Sequence, residues 1–154
     1  LIQDFRMENG EEIGTIIIKS SNLKAVTVEK ELVVRMIDEF PVFAVAATQA
    51  EGITVVRDAR DLRVKETDRI AVIVEELKKL GANIDETDDG FVIEGPTPLK
   101  GGNVYSHGDH RVAMALTVAG LISSHDTLIR EGNCVSDSFP GFYELMQQLG
   151  VQYG

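Results

Sequence analysis

Apolar residues recur with helical spacing directly after the most highly charged segment of the chain. The apolar positions there are Ile70, Ile73, Val74, Leu77 and Leu80. Steps of three and four residues mark one face of an α-helix, so the pattern predicts a helix from about Asp68 to Leu80. Thr67 is its expected N-cap, and Gly81 lies where a helix commonly ends. On the polar face, Glu75 can pair with Lys79 one turn later.

Two other segments are apolar on nearly every side, which is typical of buried helices. They are Val42–Ala50, which follows Pro41, and His110–Leu121. A short helix is expected at Lys30–Ile37, and an amphipathic helix at Ser138–Leu149.

Runs of β-branched residues predict the strands. In the first thirty residues, they predict a hairpin of Ile13–Ile18 and Leu23–Val28, with its turn at 20–22. The other expected strands are Ile53–Arg57, Asn83–Glu86, Phe91–Glu94, Asn103–Tyr105 and Thr127–Arg130.

The order of elements recurs after about 70 residues, as expected for an internal repeat. The matching pairs are Asp38 with Asp109, Arg57 with Arg130 and Leu80 with Leu149, at offsets of 71, 73 and 69 residues. Alternating helices and strands predict an α/β (α+β) fold, with helices layered on a sheet in one domain, 1–154. Its repeat units are about 38–108 and 109–154, after a leading hairpin segment, 1–37. Since the chain starts with Leu and the second unit has no hairpin, we expect a piece of a longer protein.

Composition narrows the function classes. The 154 residues are 44% hydrophobic and 26% charged, the balance of a soluble globular domain. The single cysteine, Cys134, excludes an internal disulfide and a multi-cysteine zinc site, and favours a cytoplasmic location. No apolar run approaches the roughly 18 residues of a membrane span. The net charge of −10 argues against nucleic-acid binding.

Within this acidic chain, residues 57–69 gather five cations and four anions. The cations are Arg57, Arg60, Arg63, Lys65 and Arg69, and the anions are Asp58, Asp61, Glu66 and Asp68. A helix start attracts anions through its free N–H groups and its dipole, and arginine matches carboxylate and phosphate oxygens. The segment therefore indicates a site for a small anion. The alternative is a solvated charged loop.

Asp109, His110 and Arg111 open the second apolar helix. Charged groups at such a position are costly to bury unless they are paired or bind a ligand. Arg111 is the expected second anion-binding group, and the alternative is a structural pair between Asp109 and Arg111.

Two carboxylates are candidates for proton transfer. Asp38 occupies the start of the first apolar helix, where it can act as an N-cap or accept a proton from a substrate hydroxyl. Glu66, between Lys65 and Arg69, could act as acid or base on the opposite side.

A possible metal cluster is formed by His107, Asp109 and His110, but the spacing of these residues suits neither a helix nor a strand. We expect no metal and no cofactor, because no glycine-rich phosphate loop is present either.

Five segments together resemble the 5-enolpyruvylshikimate-3-phosphate (EPSP) synthase family. They are Ile37–Pro41, Ala50–Gly52, Leu62–Arg69, Gly108–Ala115 and Ser138–Phe142. The resemblance runs from about Ile37 to Gly150, and its most specific parts are 65–69 and 109–111. It implies a transferase of the shikimate pathway of aromatic amino acid biosynthesis. The reaction moves the enolpyruvyl group of phosphoenolpyruvate to the 5-hydroxyl of shikimate 3-phosphate.

The resemblance also implies roles for individual residues. Asp38 would contact the shikimate hydroxyls and handle their proton, and Glu66 would be the acid–base group for the methylene carbon. Lys65 would lie near both substrates, while Arg69 and Arg111 would hold phosphoenolpyruvate. Asp109 and His110 would support the site.

The family fold is an inside-out barrel of two similar domains, each made of three βαβαββ units, with the site between them. This chain resembles most of the second domain, so we expect it to fold without the missing N-terminal domain but not to turn over. Two positions depart from the family pattern: residues 136–138 lack a lysine that many relatives carry, and Asp61 replaces an asparagine of some relatives. Two alternatives remain, a fragment of the sister UDP-N-acetylglucosamine enolpyruvyl transferase and a non-catalytic binding module.

Overall fold

A computed structural model of the chain describes residues 2–153. Leu1 and Gly154, the outermost residues of the predicted domain, lie outside the described residues. The strands are β1 (Ile2–Glu8), β2 (Glu11–Ile16), β3 (Thr27–Val28), β4 (Gly52–Val56), β5 (Asn83–Thr87), β6 (Gly90–Gly95), β7 (Gly102–Tyr105) and β8 (Thr127–Arg130). The helices are α1 (Glu31–Arg35), α2 (Phe40–Ala47), α3 (Arg69–Lys79), α4 (His110–Leu121) and α5 (Phe142–Gln148). Short 3-10 turns lie at Arg60–Val64 and Gly132–Asp137.

The opening hairpin lies earlier in the chain than predicted. β1 pairs antiparallel with β2, and Glu8 lies opposite Glu11. The turn is therefore Asn9-Gly10, where both residues have positive φ, 53° and 86°. An Asn-Gly pair suits a tight hairpin turn because both residues tolerate this conformation. The predicted pairing of Ile13–Ile18 with 23–28 is wrong, since β3 instead pairs parallel with β4.

Two parallel strand pairs organise the rest of the fold. The larger sheet has the order β3-β4-β6-β5, with β3 parallel to β4 and the other neighbours antiparallel. The smaller sheet pairs β7 with β8 in parallel. Parallel neighbours need a crossover connection, which α1 and α2 supply for the first pair and α4 for the second. Asp38 and Asp109 thus precede equivalent crossover helices.

Helices α2, α3 and α4 share one hydrophobic core with the larger sheet. The core includes Phe40, Ala44, Ile70, Ile73, Leu77, Phe91, Ile93, Val112 and Leu116. The Phe40 and Phe91 rings meet edge to face with centroids 6.3 Å apart. Burial of one such ring contributes about 1.5–3 kcal/mol. The expected burial of the first apolar helix is confirmed, although it begins at Phe40 and ends at Ala47.

Two helix starts differ from prediction. The N-cap of α3 is Asp68 rather than Thr67, because Asp68 Oδ1 accepts a hydrogen bond of 3.0 Å from the Ala71 N–H. Helix α5 begins at Phe142 rather than Ser138, since Pro140 disfavours helical backbone before it and Gly141 has a φ of 83°.

The predicted pair of Glu75 and Lys79 on the polar face of α3 is confirmed, with Lys79 Nζ 2.8 Å from Glu75 Oε1. Within residues 2–153, none of the helices has the length and apolarity to cross a membrane.

Candidate functional site

The guanidinium of Arg69, at the start of α3, lies at the centre of a cluster of charged side chains. Its Nε donates to Asp109 Oδ2 over 2.8 Å, and its Nη1 donates to Asp38 Oδ1 over 3.1 Å. Its Nη2 donates to Glu66 Oε2 over 2.6 Å. The Arg69 side chain is 0% exposed. One buried cation thus joins three carboxylates from three separate segments, through hydrogen bonds strengthened by charge.

Asp109 is fully buried and serves two purposes at once. Oδ1 accepts hydrogen bonds from the backbone N–H groups of Arg111 and Val112, 2.9 and 3.3 Å away, and so caps α4. Oδ2 accepts from Arg69 and, over 3.3 Å, from Thr67 Oγ1. Burial by itself raises the pKa of Asp109, but Arg69 and the two N–H groups outweigh burial and lower it. The alternative of a side-chain pair between Asp109 and Arg111 is wrong, since Asp109 contacts only the Arg111 backbone.

Asp38 faces three cations. Oδ1 lies 3.1 Å from Arg69 Nη1 and 3.7 Å from Lys65 Nζ, and Oδ2 lies 3.6 Å from Arg111 Nη2. Partial burial raises the pKa of Asp38, while Arg111, Arg69 and Lys65 together lower it below the ordinary value. Asp38 does not cap α2, because Glu39 directly precedes that helix and makes no side-chain cap. The N-cap alternative for Asp38 is therefore wrong, and its carboxylate belongs to the cluster.

The outer side of the cluster presents two cations and two carboxylates. The Lys65 and Arg111 side chains are 30% and 33% exposed, and those of Asp38 and Glu66 are 44% and 48% exposed. Arg111 Nη1 donates over 3.0 Å to the backbone oxygen of Asp38. The arrangement can bind an anion through the cations and exchange protons with it through the carboxylates.

Two predicted site residues differ from this accessible set. Arg69 is enclosed, so it could contact a ligand directly only after Glu66 or Asp38 moved away from it. Its predicted role in binding stays a prediction. His110 is the first residue of α4. Within residues 2–153, its ring makes no hydrogen bond or ion pair with the cluster.

Arg63 makes contacts that the sequence does not predict. Its Nη1 lies 2.8 Å from Asp68 Oδ2 and 2.8 Å from Glu86 Oε1. Its Nη2 and Nε donate to the backbone oxygens of Thr87 and Asp88 over 2.6 and 3.0 Å. Arg63 therefore fastens the charged segment to the turn between β5 and β6. The pair with Asp68 could have been proposed from the sequence, because the two residues are only five positions apart. The contacts with the turn between β5 and β6 depend on tertiary packing and leave no trace in the local sequence.

A second cluster brings possible metal-ligating groups together, and it differs from the set of His107, Asp109 and His110 whose spacing argues against a metal site. Ligand atoms of Glu75, Glu76 and His107 lie within 4.8 Å of one another. The Lys79 ammonium lies 2.8 Å from both carboxylates and supplies a positive charge there.

The family model of EPSP synthase (3-phosphoshikimate 1-carboxyvinyltransferase) matches residues 5–146. The 3-phosphoshikimate 1-carboxyvinyltransferase of Alkaliphilus oremlandii is 51% identical over 148 residues, 96% of this chain and 35% of that protein. The corresponding protein of Thermodesulfovibrio yellowstonii is 52% identical over 143 residues, 92% of this chain and 33% of that protein. A solved EPSP synthase structure from Acinetobacter baumannii has a TM-score of 0.91 at 41% identity, and the match covers 96% of this chain and 35% of that one. The chain thus spans about a third of the length of these relatives.

Proposed function

This chain belongs to the EPSP synthase family, and from that membership we propose that it supplies one side of the active site of a 3-phosphoshikimate 1-carboxyvinyltransferase. The reaction transfers the enolpyruvyl group of phosphoenolpyruvate to the 5-hydroxyl of shikimate 3-phosphate and releases phosphate. One observation carries the proposal: Asp38, Glu66 and Asp109, from three segments, converge on the guanidinium of Arg69, and Lys65 and Arg111 lie beside Asp38.

The two accessible carboxylates perform the proton transfers. The lowered pKa of Asp38 keeps it ionised at neutral pH, so it accepts a hydrogen bond from the attacking hydroxyl. As that oxygen bonds to the central carbon of phosphoenolpyruvate, Asp38 takes its proton, which then leaves with the departing phosphate. Glu66 gives a proton to the methylene carbon, and it removes one from the resulting methyl group when phosphate leaves. Positioned acids and bases of this kind contribute about 10²–10⁴-fold in rate.

The cations bind and orient the anionic substrates. Lys65 and Arg111 have partly exposed side chains, so their charged groups can approach phosphate and carboxylate oxygens directly. Arg69 also binds the substrate when the Glu66 carboxylate moves from Arg69 Nη2 toward the methylene carbon. Asp109 keeps Arg69 in place, and His110 supports the start of α4. Fixed charges in a site closed to water stabilise the charge that develops during the reaction.

The remainder of the site comes from the missing N-terminal domain. We assign residues 1–154 to most of one domain, with repeat units at about 38–108 and 109–154 after the leading segment 1–37. The parallel pairs β3–β4, connected through α1 and α2, and β7–β8, connected through α4, support this division. The isolated chain therefore folds but does not turn over. We expect the whole protein to be cytoplasmic and to bind neither nucleic acid nor membrane.

A chimera tests the proposal. This chain replaces the matching third of the A. oremlandii relative, and phosphate release is measured with phosphoenolpyruvate and shikimate 3-phosphate. We expect turnover by the chimera and none by the isolated chain. Turnover by the isolated chain would contradict its incompleteness. A folded chimera without turnover that binds the substrates would favour a non-catalytic module, and protection from proteolysis by UDP-N-acetylglucosamine alone would favour the sister transferase.

A further inference from the structure

We propose that Glu76 and His107 form a positioning pair that holds the segment 105–109, and through it Arg111, in place for anion binding. The consequence for binding rests on the proposed function, whereas the effect on the segment can be measured in this chain alone.

Glu76 is a buried carboxylate outside the cluster around Arg69. Its side chain is 0% exposed. Oε2 accepts a hydrogen bond of 2.9 Å from the Tyr105 backbone N–H, and Oε1 lies 2.9 Å from His107 Nε2. Oε1 also accepts from Lys79 Nζ over 2.8 Å. Two of its three partners thus lie at the end of β7 and in the connection from β7 to α4.

The charge state of Glu76 determines the direction of its bond with His107. Burial raises the pKa of Glu76, but the hydrogen bonds from Lys79, His107 and Tyr105 outweigh burial and lower it. An ionised carboxylate can only accept hydrogen bonds, so the His107 Nε2 carries the proton and donates. A replacement at 107 can keep this contact only if it is itself a donor of similar reach.

Helix α3 holds the segment 105–109 at two points with opposite charges. Arg69 and Glu76 are seven residues apart, which is about two helical turns and places them on one face of α3. Glu76 binds the beginning of the segment, and Arg69 binds Asp109 at its end. Between these points the backbone passes through positive φ, 55° at His107 and 73° at Gly108. This conformation is uncommon for a residue other than glycine, and the bond from His107 to Glu76 stabilises it.

A displacement of the segment 105–109 would also move Arg111, which follows His107 by four residues. Asp109 caps α4 through the N–H groups of Arg111 and Val112. Arg111 in turn donates to the Asp38 backbone oxygen over 3.0 Å. A shift at His107 therefore moves the cap, the start of α4 and the Arg111 guanidinium together.

Amide hydrogen exchange of this chain tests the structural part. Glu76→Gln and His107→Ala should accelerate exchange at 108–112 by about tenfold or more through local opening. His107→Gln, which keeps a donor, should restore protection. The matched controls are Glu75→Gln, which removes the other carboxylate that contacts Lys79, and His125→Ala, at an exposed loop histidine. Thermal unfolding verifies that each variant is folded. Since the His107 side chain is 35% exposed and that of Glu76 is 0% exposed, His107→Ala should disturb the overall fold less than Glu76→Gln. Unchanged protection in folded His107→Ala would overturn the proposal.

The chimera tests the consequence for binding. We expect His107→Ala to raise the KM for phosphoenolpyruvate by about tenfold with a smaller change in kcat, because Arg111 contributes binding of the anion. His107→Gln should return the KM toward that of the unsubstituted chimera. Equal KM values in His107→Ala and His125→Ala would overturn the proposed effect on binding. An inactive unsubstituted chimera would instead contradict the proposed function, while hydrogen exchange would still decide whether the pair holds the segment.

Discussion

Arg69 and Asp109 form an ion pair in which both side chains are 0% exposed, with Nε and Oδ2 2.8 Å apart. The two residues belong to different proposed repeat units, and each stands at the start of a helix, Arg69 as the first residue of α3 and Asp109 as the N-cap of α4. The pair thus joins two helix starts whose neighbouring residues, Glu66 and Arg111, reach the accessible side of the cluster.

Replacement of the Asp109 charge should destabilise the chain strongly. Asp109→Asn keeps a good N-cap but leaves Arg69 without its buried anionic partner. The expected loss is about 3–5 kcal/mol in the free energy of unfolding, measured by chemical denaturation. The control is Asp126→Asn at an exposed loop residue, with an expected change within about 0.5 kcal/mol. A similar small change for both variants would contradict the structural role of the pair.

Stability should also fall at acidic pH in a way that depends on Asp109. Its folded-state pKa is lowered, so folding favours the ionised form. The associated stability is fully present above about pH 4, the ordinary aspartate pKa, and is lost as the pH falls through the folded-state value. Asp38 acts in the same direction. Denaturation midpoints measured from neutral pH to about pH 2 should decline less in Asp109→Asn than in the unsubstituted chain. Parallel declines would argue against this contribution.

The charged residues of the cluster around Arg69 could be selected from the sequence as candidates, but their contacts with one another could not. Asp38 and Asp109 stand 71 residues apart at the starts of two apolar helices, so the predicted repeat indicates that both could face one site. The internal contacts of the cluster, such as the bond from Arg69 to Asp109, depend on how α3 and α4 pack. The burial of Glu76 could not be predicted, because its place in the sequence resembles that of an exposed acidic residue on the polar face of an amphipathic helix. The opening hairpin differs from the prediction because the Asn9-Gly10 turn, rather than the β-branched residues after it, determines where the two strands pair.

Removal of the Glu66 carboxylate should affect turnover more than binding. In the chimera, Glu66→Gln should lower kcat by about a hundredfold or more, because it cannot exchange a proton with the methylene carbon. The KM should change less, since the glutamine side chain keeps the size and polarity of the original. Glu75→Gln is the control, at a carboxylate outside the cluster. A kcat equal to that of the control would remove Glu66 from the proposed proton transfer.

Loss of the Arg111 guanidinium should weaken binding of the anionic substrate. Arg111→Ala in the chimera should lower kcat/KM for phosphoenolpyruvate by roughly tenfold to a hundredfold, the range expected when a charged hydrogen bond is lost. Arg111→Lys should recover part of this loss, since lysine keeps the charge but not the planar fork. Arg130→Ala, at an exposed arginine of β8, is the control. Unchanged kcat/KM in Arg111→Ala would show that this guanidinium does not contact the substrate.

Arg63 should prove more important for stability than its neighbour Arg60. Arg63 contacts Asp68, the cap of α3, and also Glu86 and two backbone oxygens at the turn between β5 and β6. Arg63→Ala should therefore lower the free energy of unfolding by about 1.5–3 kcal/mol, as expected when hydrogen bonds to charged groups are lost. Arg60→Ala removes an exposed arginine from the same 3-10 turn and should change stability by less than about 0.5 kcal/mol. Since Lys65 and Glu66 lie between Arg63 and Asp68, Arg63→Ala should also lower turnover of the chimera. Equal stability of the two variants would mean that the charged segment holds its conformation without Arg63.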